Sequence, residues 1–327
     1  MRIITAFVLL VIILLPVHAQ DTNETEENLD YLNINPKKNK TYGFSIGTQI
    51  GFIYGQAFEF VYPMYNDSSG RLLSELKYDM KPVLYFGLKA DFGKINPLSA
   101  PGFFASLSFK AGIPGYSGTH ENRDWLSSNN SELTNFSSHD NITKEMFIAD
   151  LLLGASIPVK SLFYIKPFLS GSWMSFYFSG KNGYRTYDYE NWEVIPFKGE
   201  VITYKQDWLL LAAGFLIGTD ILHPLSFNIS FKISPLAYCA ATDHHIKKNY
   251  VYKDFTSFGF YLEPEANVSI FLKQFELSLN FAYKYIGRTE GETYIKENGE
   301  TLYYLAPTKA GAGLSIIDTH FLFSVHF

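Results

Sequence analysis

The chain has 327 residues, with 27 Lys and Arg against 32 Asp and Glu, a formal charge of −5 and a single cysteine, Cys239. The mild acidic balance excludes the basic footprint of a nucleic-acid binder, and one cysteine excludes a disulfide scaffold. Its 29 Phe and 23 Tyr, at near-neutral hydropathy, are more aromatics than a soluble domain readily hides. A transmembrane β-barrel instead displays them to lipid and in interfacial girdles.

In chain order, Met1-Arg2 is followed by the apolar run Ile3 to Pro16 and then Val17-His18-Ala19-Gln20. A basic start, an apolar core and a small-x-Ala site predict an export signal over residues 1–19, cut after Ala19. Residues 20–41 are polar and aperiodic, and are expected to form a flexible periplasmic segment. No later segment offers the ~18 consecutive apolar residues of a membrane helix. Cys239 is too far from the signal to carry a lipid anchor.

From residue 42 onward the pattern is dyad. Between Leu225 and Ser234, the residues Leu225, Phe227, Ile229, Phe231 and Ile233 alternate with Ser226, Asn228, Ser230, Lys232 and Ser234. Phe275 to Tyr285 repeats the arrangement. Such strands face lipid on one side and a polar lumen on the other. Candidate strands fall at 42–62, 72–92, 102–115, 145–159, 162–179, 201–219, 224–241, 255–272, 274–295 and 309–327. These ten segments predict an all-β fold, a ten-stranded antiparallel transmembrane β-barrel over 42–327. The breaks alternate between short turns (Lys160-Ser161, His223-Pro224, Lys273-Gln274) and longer polar loops (63–71, 116–144, 180–200, 242–254, 296–308). Several strands exceed the ~10 residues needed to cross the apolar layer and should project above it. The end, Phe321-Leu322-Phe323-Ser324-Val325-His326-Phe327, resembles the terminal signature by which bacterial barrels are recognised for assembly.

Two polar clusters expected in the outer loops could carry chemistry. One runs from His120-Glu121-Asn122-Arg123-Asp124-Trp125 to Ser137-Ser138-His139-Asp140; the other is Ala240-Ala241-Thr242-Asp243-His244-His245. In extended backbone, residues two apart share a face, which pairs Asp243 with His245 and Asn122 with Asp124. Asp-x-His can act as a general-base dyad, the carboxylate fixing the tautomer and favouring the imidazolium. By itself the pair is a weak signal, since two such residues on an exposed loop are usually just solvated. The register opposes it as well, because odd positions counted up from Leu225 face lipid; a bulge near Pro235 would re-aim the upper strand. Asp243, His244, His245, His139 and Asp140 match no strong zinc spacing, so neither a metal nor another cofactor is expected.

Taken together, several short features resemble the omptin family along nearly the whole mature chain: Ser45-Ile46-Gly47-Thr48, the Asp124-Trp125 region, Tyr204-Lys205-Gln206, Asp243-His244-His245 and Gly311-Ala312-Gly313. The resemblance implies a bacterial outer-membrane protease that cleaves polypeptides at the cell surface, commonly between basic residues, in a groove at the barrel top. The family's Asp-His dyad falls on Asp243 and His245. Its opposing Asp-x-Asp pair falls on Asn122 and Asp124, so the first acid of that pair is missing. Of two acids flooring the pocket for a basic side chain, one falls on Glu59 and the other on Ala241, where no carboxylate stands. The outward residues by which many omptins grip lipopolysaccharide correspond to Gly171 to Tyr177, which holds no acid or base; this argues against dependence on that lipid. The partners implied are polypeptides and outer-membrane lipids. Besides the endopeptidase, two readings stand: a barrel of this fold whose altered site no longer cleaves and serves surface binding or adhesion, and a small pore.

Overall fold

A computed structural model describes residues 42–327 except 64–70, 95, 128–131, 160–162, 223 and 298. The expected export signal, the segment 20–41, the turn Lys160-Ser161 and His223 lie outside the described residues.

Among the described residues, thirteen antiparallel strand segments build one closed sheet: β1 (Tyr42–Tyr62), β2 (Ser74–Lys94), β3 (Gly102–Gly112), β4 (Gly115–Asp124), β5 (Asn135–Val159), β6 (Phe163–Tyr187), β7 (Ile195–Pro196), β8 (Glu200–Leu222), β9 (Leu225–His245), β10 (Tyr250–Leu272), β11 (Phe275–Ile286), β12 (Glu290–Lys296) and β13 (Tyr304–His326). β3 and β4 both pair β2 and β5, and so form one interrupted stave. β11 and β12 likewise form one stave between β10 and β13. With β7 a two-residue flap on β6, the ring has ten staves and closes where β1 pairs β13 from Ser45↔His326 to Tyr62↔Lys309. Closure removes free sheet edges, which a lipid environment could not satisfy.

The dyad pattern dictates what each face holds. Ile46, Ile50, Phe86, Leu88, Leu107, Leu153, Leu211, Ile229, Phe321 and Phe323 are exposed on the outside and form an apolar belt. Inside, the chain buries charge. Lys110 pairs with Asp318 at 2.5 Å, and Lys232 and Lys284 each reach Glu263 at 2.9 Å. Ser172 donates to Asp150, and Tyr85 donates its hydroxyl proton to Asp318. These partners make burial tolerable, since an unpaired charge there would cost several kcal/mol. They also fill the lumen. Above them lies a buried plug of Tyr78, Met80, Met146, Met174, Phe176, Phe178, Tyr204 and Trp208.

The strands run further than the sequence pattern indicated. Residues expected in outer loops belong to paired strands: His120 to Asp124 on β4, Ser137 to Asp140 on β5, and Thr242 to His245 on β9. The reason is mutual pairing above the belt. There both faces meet water or protein, and the apolar alternation that marks a lipid-facing strand fades.

Candidate active site

The dyad depends on one irregularity in β9. Below it, Ser230, Lys232 and Ser234 point inward and Ile229 and Ile233 outward; above it, Ala237, Cys239, Ala241 and Asp243 are buried and Tyr238 is exposed. The switch occurs where Pro235 and Leu236 are both exposed in sequence. Pairing to β8 and β10 shifts register at the same level. Pro235 has no N–H to give, and Leu236 N–H turns back to Ser234 Oγ at 2.8 Å. The expected bulge is therefore present, and it brings Asp243 and His245 to the interior.

There His245 Nε2 lies 2.6 Å from Asp243 Oδ2, with Asp243 1% exposed and the His245 side chain 30% exposed. With Nε2 committed to the carboxylate, Nδ1 is the nitrogen left to take a proton. Tyr252, paired with Asp243 across β10, packs edge-on against the imidazole at 5.4 Å and 68° and fixes its plane. Burial alone would lower the His245 pKa, but the Asp243 charge and hydrogen bond outweigh it and, with a smaller contribution from Asp124, hold the pKa above its ordinary value.

Asn122 and Asp124 come from β4 on the same face as His120. Asp124 is held at both oxygens: Ser74 Oγ donates to Oδ1 at 2.7 Å and Asn135 Nδ2 to Oδ2 at 3.2 Å, each from a directly paired residue on a flanking strand. Asn122 Oδ1 is buried with no hydrogen-bond partner among the described residues, as is Asp243 Oδ1. β4 is itself anchored below the site. Asp79 accepts hydrogen bonds from Thr119 N–H at 3.1 Å, Thr119 Oγ1 at 2.9 Å and Gln56 Nε2 at 2.8 Å.

Glu59 faces inward from β1 and is 5% exposed, with Tyr78 donating to its Oε2 at 3.3 Å. Burial, then the charges of Asp243 and Asp254, push the Glu59 carboxyl well above the usual carboxylate range. Ala241 is buried, as its position two residues below Asp243 requires. His244 and Asp140 take the opposite strand parity from Asp243, His245 and His139, so the five considered for zinc do not share one face.

Sequence reasoning singled out His120 and His139 but missed the aromatic stack that they join. His139, His120, Tyr78 and Tyr204 stack in series at 5.4, 4.4 and 4.5 Å between ring centroids. Burial, with the nearby His139 and His245, holds the His120 pKa well below 6.5, so this ring is a neutral packing element at physiological pH. Asp254 also lies here, 3% exposed on β10. Its alternation with Phe255 and Thr256 was the signal available, and placing it in a loop over 242–254 concealed that signal.

The Omptin family model matches residues 40–323. Comparison of the sequence with curated proteins finds no match. Among solved structures, the outer membrane protease OmpT from Escherichia coli is similar with a TM-score of 0.76 at 16% identity, covering 89% of this chain and 99% of that one. The Pseudomonas putida toluene transporter TodX aligns with a TM-score of 0.34 at 10% identity, covering 89% and 91%. The match over nearly the whole described barrel, the ten-stave ring and its outward apolar belt agree: the chain belongs to the omptin family of outer-membrane proteases and is a bacterial outer-membrane β-barrel.

Proposed function

We propose that this barrel is a surface endopeptidase that hydrolyses polypeptides next to basic residues through a water activated by His245. The observation that carries the reading is the Asp243–His245 pair at 2.6 Å, turned inward by the Pro235 bulge, with the His245 imidazole within reach of the Asp124 charge on β4. A water between these walls would give its proton to His245 Nδ1 as it attacks the peptide carbonyl. Asp243 then stabilises the imidazolium that forms. Asp124, fixed at both oxygens, and the unpartnered Asn122 amide oxygen orient the water. Asn122 accepts a hydrogen bond but brings no negative charge, so the transition-state imidazolium lacks one stabilising partner. Each ~1.4 kcal/mol so lost lowers the rate tenfold.

The test is hydrolysis of a peptide carrying Arg-Arg by the refolded barrel, followed by mass spectrometry. The expected result is a single cut beside the basic residues in the wild type and none with His245→Ala. Cleavage unaffected by His245→Ala would sink the mechanism. Absence of cleavage by the wild type and by Asn122→Asp would favour the non-cleaving surface-binding reading.

A further inference from the structure

The acid missing at Ala241 has a counterpart one strand over. Asp254 of β10 pairs directly with Ala241 of β9, two positions below Asp243. Directly opposed residues in antiparallel strands project to the same side of the sheet with Cβ atoms ~4.5–5.5 Å apart. A carboxylate on Asp254 therefore lies next to the place that one on residue 241 would occupy.

Asp254 is 3% exposed, and its Oδ1 has no hydrogen-bond partner among the described residues. The hydroxyl of Thr293 supports the carboxylate. Among the described residues, no lysine or arginine forms an ion pair with Glu59 or Asp254. This contrasts with the lumen below, where Asp318 and Glu263 are each paired with buried lysine. Two carboxylates buried beside a third, Asp243, are costly unless a cation joins them. Burial and the Asp243 charge push both Glu59 and Asp254 upward, the response expected of acids with no counter-ion. No three His, Cys, Asp or Glu among the described residues converge as metal ligands do. A cationic side chain delivered by a bound polypeptide suits the site better, and its neighbouring peptide bond would then lie near Asp243 and His245.

We propose that Asp254, together with Glu59, forms the acidic floor that binds the basic side chain preceding the cut, replacing the acid absent at Ala241. The proposal rests on the endopeptidase reading for the word "cut", while the binding it describes is separately measurable. Two carboxylates from different strands can hold the two faces of a guanidinium fork, so Arg is favoured over Lys.

The experiment compares two fluorescent peptides that differ only by Arg or its neutral near-isostere citrulline, measuring binding by anisotropy and cleavage by mass spectrometry. Refolded wild type should bind the Arg peptide more tightly than the citrulline peptide. Asp254→Asn should weaken Arg binding roughly a hundredfold and leave citrulline binding unchanged. Ala241→Asp introduced into Asp254→Asn should restore most of the preference by returning the acid to the paired position. Glu59→Gln supplies an independent variant, and it should lose the same preference. Equal effects of Asp254→Asn on both peptides, or a wild type without Arg preference, would overturn the proposal. An Asp254-dependent Arg preference without any cleavage would uphold it and defeat the endopeptidase reading alone.

Discussion

Asp243 is sealed from solvent and hydrogen-bonded, while His245 at 2.6 Å keeps part of its ring exposed, so a fixed carboxylate orients an imidazole that can exchange protons. Because the Asp243 charge holds the His245 pKa above 6.5, the neutral base predominates only at higher pH. The pH–rate profile should therefore rise along a limb centred above pH 6.5. Asp243→Asn removes the raising influence and leaves burial, which lowers the pKa, so the limb should move to lower pH while kcat falls by about 10²–10⁴. A limb that stays in place would separate Asp243 from His245. That Asp243 and His245 lie side by side was legible in the sequence because residues two apart share a face in extended backbone. Asp254 was not, because its role depends on a partner on another strand and no local pattern records cross-strand pairing.

At the scale of the strand, two irregularities aim the site. Strict alternation from Leu225 would have turned Asp243 outward; the exposed pair Pro235 and Leu236 reverses it. Spin labels at residues 233, 236 and 238 should all be reached by lipid-soluble oxygen. A label at 236 with the accessibility of an interior position would contradict the bulge. The sequence suggested this device through proline chemistry alone, whereas the upward extension of β4, β5 and β9 was hidden because strands above the belt lose the lipid-facing signature. The second irregularity is Gly118, at φ +113°, where a Cβ would stand 2.7 Å from Asp79 Cβ and 2.9 Å from its Oδ2. Asp79 holds Thr119 and thereby the course of β4 towards Asn122 and Asp124. Gly118→Ala should cost about 1–3 kcal/mol in urea unfolding and reduce cleavage together with stability. An unchanged midpoint would show that Asp79 does not set the strand.

For the whole molecule, the barrel separates anchoring from chemistry. The belt faces outward around a lumen crosslinked by Lys110, Lys232, Lys284, Asp318 and Glu263 and capped by the aromatic plug, while the polar clusters occupy the strand ends above. Composition and dyad periodicity made the ten-stave ring legible, because lipid enforces alternation wherever it touches the sheet. The ion pairs inside were visible only as polar parity, without partners. Planar-bilayer recordings should show no stable conductance, and Asp318→Asn should destabilise the barrel by about 3–5 kcal/mol by stranding Lys110. Steady single-channel currents from the wild type would revive the pore. The central proposal is that the Asp243/His245 site hydrolyses polypeptides with a weakened water-positioning pair at Asn122 and Asp124. Its most direct measurement is kcat on an Arg-Arg peptide for wild type and Asn122→Asp in parallel. The account predicts measurable wild-type cleavage that rises at least tenfold when the carboxylate is introduced; no cleavage by either protein would contradict it.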